Sequence, residues 1–229
     1  MLRTERIWLK PSKELSLMCH YGKNLYNEAN YIVRQEFISN GRWIRYNELY
    51  HLLKSSENYK ALPAHTAQHV LQSVDSSWKS FFQSIKSWRA DKSKYLGRPK
   101  LPKYLPKDGE FVLRFDYQQF RISDGSLRLP KKMQFPSIKV RPKVSSAKEV
   151  RIVPRGVGYW LEIVYDSPNV PLNLDKSRAV GIDIGLRNLV TIVDNIGGHP
   201  IVIKGGVPRS VNQYYNRELS RLRSIYSKQ

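Results

Sequence analysis

The chain has a single cysteine, Cys19, in 229 residues. That excludes an internal disulfide and any thiolate zinc site built within it, because a structural zinc takes four Cys or His ligands; zinc is not expected. Acids are also scarce, with 19 Asp and Glu against 39 Lys and Arg, a formal charge of +20 at pH 7. A surface so dominated by one sign repels itself, and a polyanion relieves that repulsion. No run of about 18 apolar residues is present to span a membrane, and the first ten residues lack the apolar stretch of a signal peptide. Nucleic acid is therefore the leading partner, no membrane is expected, and the chain reads as soluble and intracellular. Gly and Pro number only 13 each while hydrophobic residues reach 41%, so the sequence is globular, with room for one to three small domains.

The first element is a short strand carrying Ile7, Trp8 and Leu9 and closed by Pro11. Ser12 is positioned to cap a helix whose apolar face runs Leu15, Met18, Gly22, Leu25, Ala29, Ile32 and Val33, with Asn40-Gly41 as the stop. A second helix is expected from a cap at Asn47 through Leu49, Leu52 and Leu53, followed by a polar loop at residues 55–58. Pro63 opens a third. Its stripe of Ala67, Val70, Leu71, Val74, Trp78, Phe81, Phe82 and Ile85 reads as a helix-bundle core rather than a base-stacking platform.

Beyond Trp88 the periodicity breaks. Residues 86–107 hold eight Lys or Arg, with Asp91 the only acid before residue 108, and residues 98–106 hold three prolines. This is expected to be a connection that touches phosphate through Lys92, Lys94, Arg98, Lys100 and Lys103, the alternative being a solvated loop. From Glu110 the pattern turns to period two: Phe111, Leu113, Phe115 and Tyr117, a turn at Asp124-Gly125, a short run at residues 138–141, and a hairpin across residues 154–158. About five short antiparallel strands of this kind close into a small barrel. Lys131, Lys132, Lys139, Arg141 and Lys143 lie in or beside its turns, where they track a backbone or face water.

Residues 166–177, with Pro168 and Pro171, read as an interdomain linker. After it come a strand at residues 179–184 carrying Asp183, a turn at Gly185, and two further apolar strands around Leu189 to Val193 and Ile201 to Ile203. A carboxylate on an otherwise buried strand is costly unless paired, and a divalent cation is one such partner. The alternative is a turn-forming aspartate bonded to the backbone near Gly185. The same layout opens both RNase H-like nucleases and actin-like kinases; here it follows a strongly basic region instead of starting the chain.

The stretch Gly181-Ile182-Asp183-Ile184-Gly185-Leu186-Arg187-Asn188-Leu189 resembles the first RuvC motif of TnpB proteins and their type V CRISPR relatives. Leu62-Pro63, Ala67-Gln68 and Trp78-Lys79-Ser80-Phe81-Phe82 are similar to the family's recognition-lobe helix, Gly97-Arg98-Pro99 to its basic connection, Leu129-Pro130 to its barrel, and Asn212 to Asn216 to the helix after the third RuvC strand. The resemblance implies an α+β multidomain protein. A small antiparallel wedge-like β-barrel (residues 1–10 and 108–166) would hold an inserted helical recognition lobe with basic linker (residues 11–107). The first strands of an incomplete RNase H-like (RuvC) fold would follow at residues 178–229.

The resemblance further implies a transposon-associated, RNA-guided DNA endonuclease in a prokaryotic cytoplasm, with guide RNA and target duplex DNA as partners. Asp183 would be a catalytic, Mg2+-binding carboxylate, and Tyr46, His65 and Gln68 would lie against DNA. The family's other acidic ligands and its four-cysteine zinc ribbon are not matched in this sequence, so this chain by itself is expected not to cut. The alternative is a nuclease-dead binder, a repressor or decayed transposase remnant. His65 and His69, four apart, could chelate zinc, but no third ligand is evident and an ordinary polar helix face is the simpler reading. Oligomeric state is left open by the sequence.

Overall fold

The computed structural model describes residues 1–141, 147–168 and 174–227; Lys143 and Pro171 fall outside the described residues. The chain divides into two compact units, residues 1–169 and 170–229. The first contains β1 (Leu2–Leu9), α1 (Lys13–Asn40), α2 (Tyr46–Leu53), α3 (Glu57–Ala61), α4 (Ala64–Ala90), β2 (Leu113–Asp116), β3 (Arg121–Ser123), β4 (Ser126–Arg128), β5 (Ile138–Lys139), β6 (Ala147–Pro154) and β7 (Tyr159–Asp166). The second contains β8 (Val180–Ile184), β9 (Asn188–Asp194), β10 (Ile201–Lys204) and α5 (Gly206–Tyr226). This is a mixed α+β chain with antiparallel sheets.

Local chemistry sets the helix ends. Ser12 Oγ accepts from the Leu15 amide at 3.4 Å and starts α1, and Gly41 ends it in the left-handed region at φ 67, where a side chain would cost about 1 kcal/mol or more. Two expectations need correction. Arg45, not Asn47, precedes α2 and makes no side-chain cap. The polar segment after α2 is not all loop, because Ser56 Oγ accepts from the Tyr59 amide and nucleates the short helix α3.

α4 packs against α1 through Ala67, Val70, Leu71, Val74 and Trp78, all buried. At the centre, the Trp78 indole donates to Asn30 Oδ1 at 3.0 Å. Both residues are fully buried, so each satisfies a polar group the other would otherwise strand.

The strands of the first unit form a four-stranded sheet in the order β1-β7-β6-β2 and a separate three-stranded sheet, β3-β4-β5. They do not form one continuous hydrogen-bonded circuit. β1 pairs with β7 from Leu2↔Asp166 to Leu9↔Tyr159, so the helices lie in sequence between neighbouring strands of one sheet. Leu113, Phe115, Val150, Ile152, Leu161 and Ile163 point into the core.

Across the four-stranded sheet a row of charges alternates. Arg6 reaches Glu162 at 2.9 Å, Arg151 reaches both Glu162 and Glu149, and Arg114 reaches Glu149 at 2.7 Å. Burial pushes the Glu149 carboxyl up, but hydrogen bonds from Arg114 and Arg151 outweigh it and hold the carboxyl below its ordinary 4.5. A folded-state value below the unfolded one contributes stability above about pH 4.5 that is lost as pH falls through the folded value. Glu149→Gln should therefore cost about 1 kcal/mol near pH 7, discounted for the partly exposed Arg114, and should flatten the decline below pH 4.5. Urea midpoints measured from pH 3 to 7 check both.

Candidate nucleic-acid interface

The basic connection after α4 is not a free loop. Lys23, Asn27, Asn30 and Arg34, spaced four, three and four apart on one face of α1, bind its backbone in sequence. Lys23 Nζ donates to the Lys107 carbonyl at 2.6 Å, and Asn27 exchanges bonds with Leu105 in both directions at 3.0 and 2.8 Å. Asn30 Nδ2 donates to the carbonyls of Pro102 and Lys103 at 3.2 and 3.3 Å, and Arg34 Nη1 donates to that of Pro102 at 2.8 Å. The spacing closes: helix residues 23 to 34 rise roughly 16 Å, and extended chain from 102 to 107 covers about the same.

Prolines explain why the match is mostly one-directional. Pro102 and Pro106 offer carbonyls but no N–H, so the extended segment needs donors, and α1 supplies them. The sequence did not single out Lys23 or Asn30, because a polar residue on the buried side of a helix looks like a break in its apolar stripe. Its signal was the three-and-four spacing of Lys23, Asn27, Asn30 and Arg34.

The side chains of Lys103 on this held segment and of Arg98 and Lys100 just before it stand exposed, and none has an ion-pair partner among the described residues. Lys92 and Lys94 differ. Lys92 lies over the Trp88 ring at 5.3 Å, and Lys94 pairs with Asp91 at 3.4 Å. Lys86 and Arg89 from the end of α4 join Arg34, Arg98, Lys100 and Lys103 around a cavity of about 880 Å³ floored by Phe37, Phe81 and Phe82. No acid lines it.

Of the residues expected to lie against duplex DNA, Tyr46 and His65 belong to one polar chain elsewhere on the first unit. Burial pushes the Tyr46 phenol above its ordinary value, offset in part by a hydrogen bond with Gln72. Gln72 Oε1 in turn meets His69 Nδ1 at 3.0 Å. His69 Nε2 lies 2.9 Å from Asp116 Oδ2 on β2, close enough for an ion pair but off the line of a hydrogen bond, and His65 Nδ1 lies 3.8 Å from the same oxygen. Tyr46 and His65 are thus linked through Asp116, whereas Gln68 is engaged separately by the Tyr59 hydroxyl. Asp116 is the third group that the histidine spacing alone did not reveal. Even so, no set of three His, Cys, Asp or Glu among the described residues is arranged to hold a metal.

Lys131 stands exposed in a 3-10 turn at Lys131–Met133. Lys132 donates from Nζ to the Lys60 carbonyl at the end of α3, a local structural contact. Lys139 is exposed, and Arg141 pairs with Glu5 at 3.2 Å.

In the second unit, β8 is an edge strand of the sheet β10-β9-β8, with Asp183 opposite Thr191. Asp183 is expected on a buried strand, but every residue of β8 is exposed and Gly205 is the one buried residue described in the unit, so the expectation of burial does not hold. The turn after Asp183 packs on Gly205, whose amide donates to the Arg187 carbonyl at 2.9 Å and where an added Cβ would meet the Leu186 carbonyl at 2.9 Å. The Asp183 carboxylate has no hydrogen bond or ion pair among the described residues. Asp194 instead bonds the amides of Ile196 and Gly198 at 3.1 and 2.8 Å, and Glu218 pairs with Arg221 at 2.9 Å. One carboxylate does not make a divalent-ion site, and the residues described here do not complete one.

No family model matches the sequence, and no curated protein does. Among solved structures the fold is similar to a chain of a Cas12f1-sgRNA-target DNA complex, with 12% identity over 98% of this chain and 62% of that one, at a TM-score of 0.35. It is also similar to a chain of a CRISPR-Cas12f ternary complex, with 13% identity over 93% of this chain and 52% of that one, at a TM-score of 0.39. The chain thus spans roughly half to three-fifths of the length of these structures.

Proposed function

We propose that this chain is the N-terminal part of a TnpB-like, transposon-associated RNA-guided DNA endonuclease acting in a prokaryotic cytoplasm, with guide RNA and target DNA as its partners. The observation that carries the nucleic-acid reading is the basic connection, whose backbone α1 holds from Pro102 to Lys107 while Arg98, Lys100 and Lys103 have no ion-pair partner among the described residues. Cations on and directly before a held backbone segment lose less order when phosphates bind than cations on a free loop, so their charge is available for affinity. The run from Gly181 to Leu189 supplies the nuclease part of the reading, in which the strands of the first unit would belong to a wedge-like barrel and β8, β9 and β10 to a RuvC-type fold.

In this reading Asp183 would be a ligand to magnesium, which when bound activates water and stabilises phosphate charge. Its carboxylate is exposed and unpartnered, as a ligand-in-waiting must be, but it is alone. The chain itself is therefore expected to bind without cutting. A second reading is a nuclease-dead binder that acts as a repressor or is a transposase remnant.

Thermal shift separates these from an actin-like kinase: structured RNA should raise the melting temperature of the chain and ATP should not. A rise with ATP alone would defeat the nucleic-acid reading. For Asp183, an alanine variant of a cleavage-competent assembly containing this chain should lose magnesium-dependent cutting by at least about 100-fold while binding RNA within twofold. Equal cutting by the variant would leave Asp183 a turn residue and favour the second reading.

A further inference from the structure

We propose that the cavity between α1, the end of α4 and the basic connection is a binding site for an unpaired nucleotide of a single-stranded RNA or DNA segment. This deepens the nucleic-acid reading above and rests on it. The α4 stripe divides along its length: Trp78 is fully buried, whereas Phe81 and Phe82 are only partly buried and open onto the cavity. Phe37 from α1 completes the floor, its ring 5.5 Å from Phe82 at 72°, with Phe81 and Phe82 5.2 Å apart at 56°. Both rings also pack on Trp78, so the core behind them fixes the aromatic wall that lines the cavity. The volume of about 880 Å³ falls in the range of small-ligand sites.

The rim decides the occupant. Six cations and no acid surround the aromatic floor, so an apolar peptide finds excess charge to desolvate and an acidic one finds no reason for the aromatic wall. A nucleotide offers both a π-face and a phosphate. Bases within a duplex are already stacked and cannot enter, so the occupant is unpaired. Phosphates on either side of that base would fall to Arg98 and Lys100 on one wall and to Lys86 and Arg89 on the other.

The test compares the full chain with its Phe81→Leu, Phe82→Leu variant, which keeps apolar volume and removes the π-faces. Binding is measured to single-stranded oligoribonucleotides and oligodeoxyribonucleotides and to a blunt duplex, at fixed salt. The variant should bind single strands about 5- to 50-fold more weakly, bind duplex within twofold, and keep the same salt slope, because no phosphate contact is lost. The ribo and deoxy arms show which strand is preferred. Equal weakening on single strand and duplex, or none on either, would overturn the site. So would a concentration-dependent dimer that dissociates in the variant with single-strand affinity unchanged, since the groove would then hold a second copy.

If the wild type binds neither form, the broader reading fails as well; if it binds duplex but not single strands, only the site does. Should the variant melt far below the wild type, photocrosslinking of the wild type to a 5-iodouracil single strand decides. A crosslink at Phe37, Phe81 or Phe82 supports the site, and crosslinks confined to other residues overturn it.

Discussion

Trp78→Ala is expected to destabilise the first unit by about 3–5 kcal/mol, the range for a large aromatic lost from a packed core. It removes a fully buried ring that packs against Phe37, Phe81 and Phe82. It also strands the Asn30 Oδ1 atom that the indole satisfies at 3.0 Å. Because Asn30 also holds the carbonyls of Pro102 and Lys103, the loss is transmitted to the connection. Trp78→Phe keeps much of the packing but leaves Asn30 without its donor, so it should cost about 1–3 kcal/mol. Urea unfolding of the two variants beside the wild type separates ring volume from hydrogen bond; a Trp78→Phe variant as stable as the wild type would show that the Asn30 bond contributes nothing.

The second large effect is on binding. Replacing Arg98, Lys100 and Lys103 together by alanine should weaken affinity for structured RNA about 100-fold near 0.1 M salt and make the log–log salt slope shallower by roughly 2 to 3. The pair Lys92→Ala and Lys94→Ala should change affinity only about two- to fivefold, because Lys92 is committed to the Trp88 ring and Lys94 to Asp91. Sequence alone gives these five cations equal standing. Their ranking is a structural result, and filter-binding titrations at several salt concentrations would test it. A larger loss from the Lys92 and Lys94 pair than from the triple variant would refute it.

Much of the helical part was legible because its rules are local. Ser12, Gly41 and Pro63 act within a turn of themselves, and the three-and-four spacing of Leu15, Met18, Gly22, Leu25, Ala29 and Ile32 requires only one helix to be read. The short helix α3 was missed because its polar sequence resembles a loop and its cap, Ser56, carries no apolar run behind it. Strand pairing was less legible: alternation located Leu113 and Phe115, but nothing local says that Leu2–Leu9 lies beside Tyr159–Asp166. The binding surface was half legible. Charge identified the connection, while its attachment to Lys23, Asn27, Asn30 and Arg34 depends on contacts 68 to 84 residues apart. Asp183 was visible as a residue type in a pattern, yet its burial was inferred wrongly, since apolar strands such as Val180–Ile184 do not announce whether both faces are covered.

If the cationic surface centred on the connection binds nucleic acid through phosphate, as proposed, its affinity must fall steeply with salt. The most direct measurement is the equilibrium affinity of the full 229-residue chain for a structured RNA between 50 and 200 mM salt. Six cations around the cavity, Arg34, Lys86, Arg89, Arg98, Lys100 and Lys103, predict a log–log slope of about −4 to −5.5 and a loss of affinity of roughly 300- to 2000-fold over that range. An affinity that stays level across the range would contradict it.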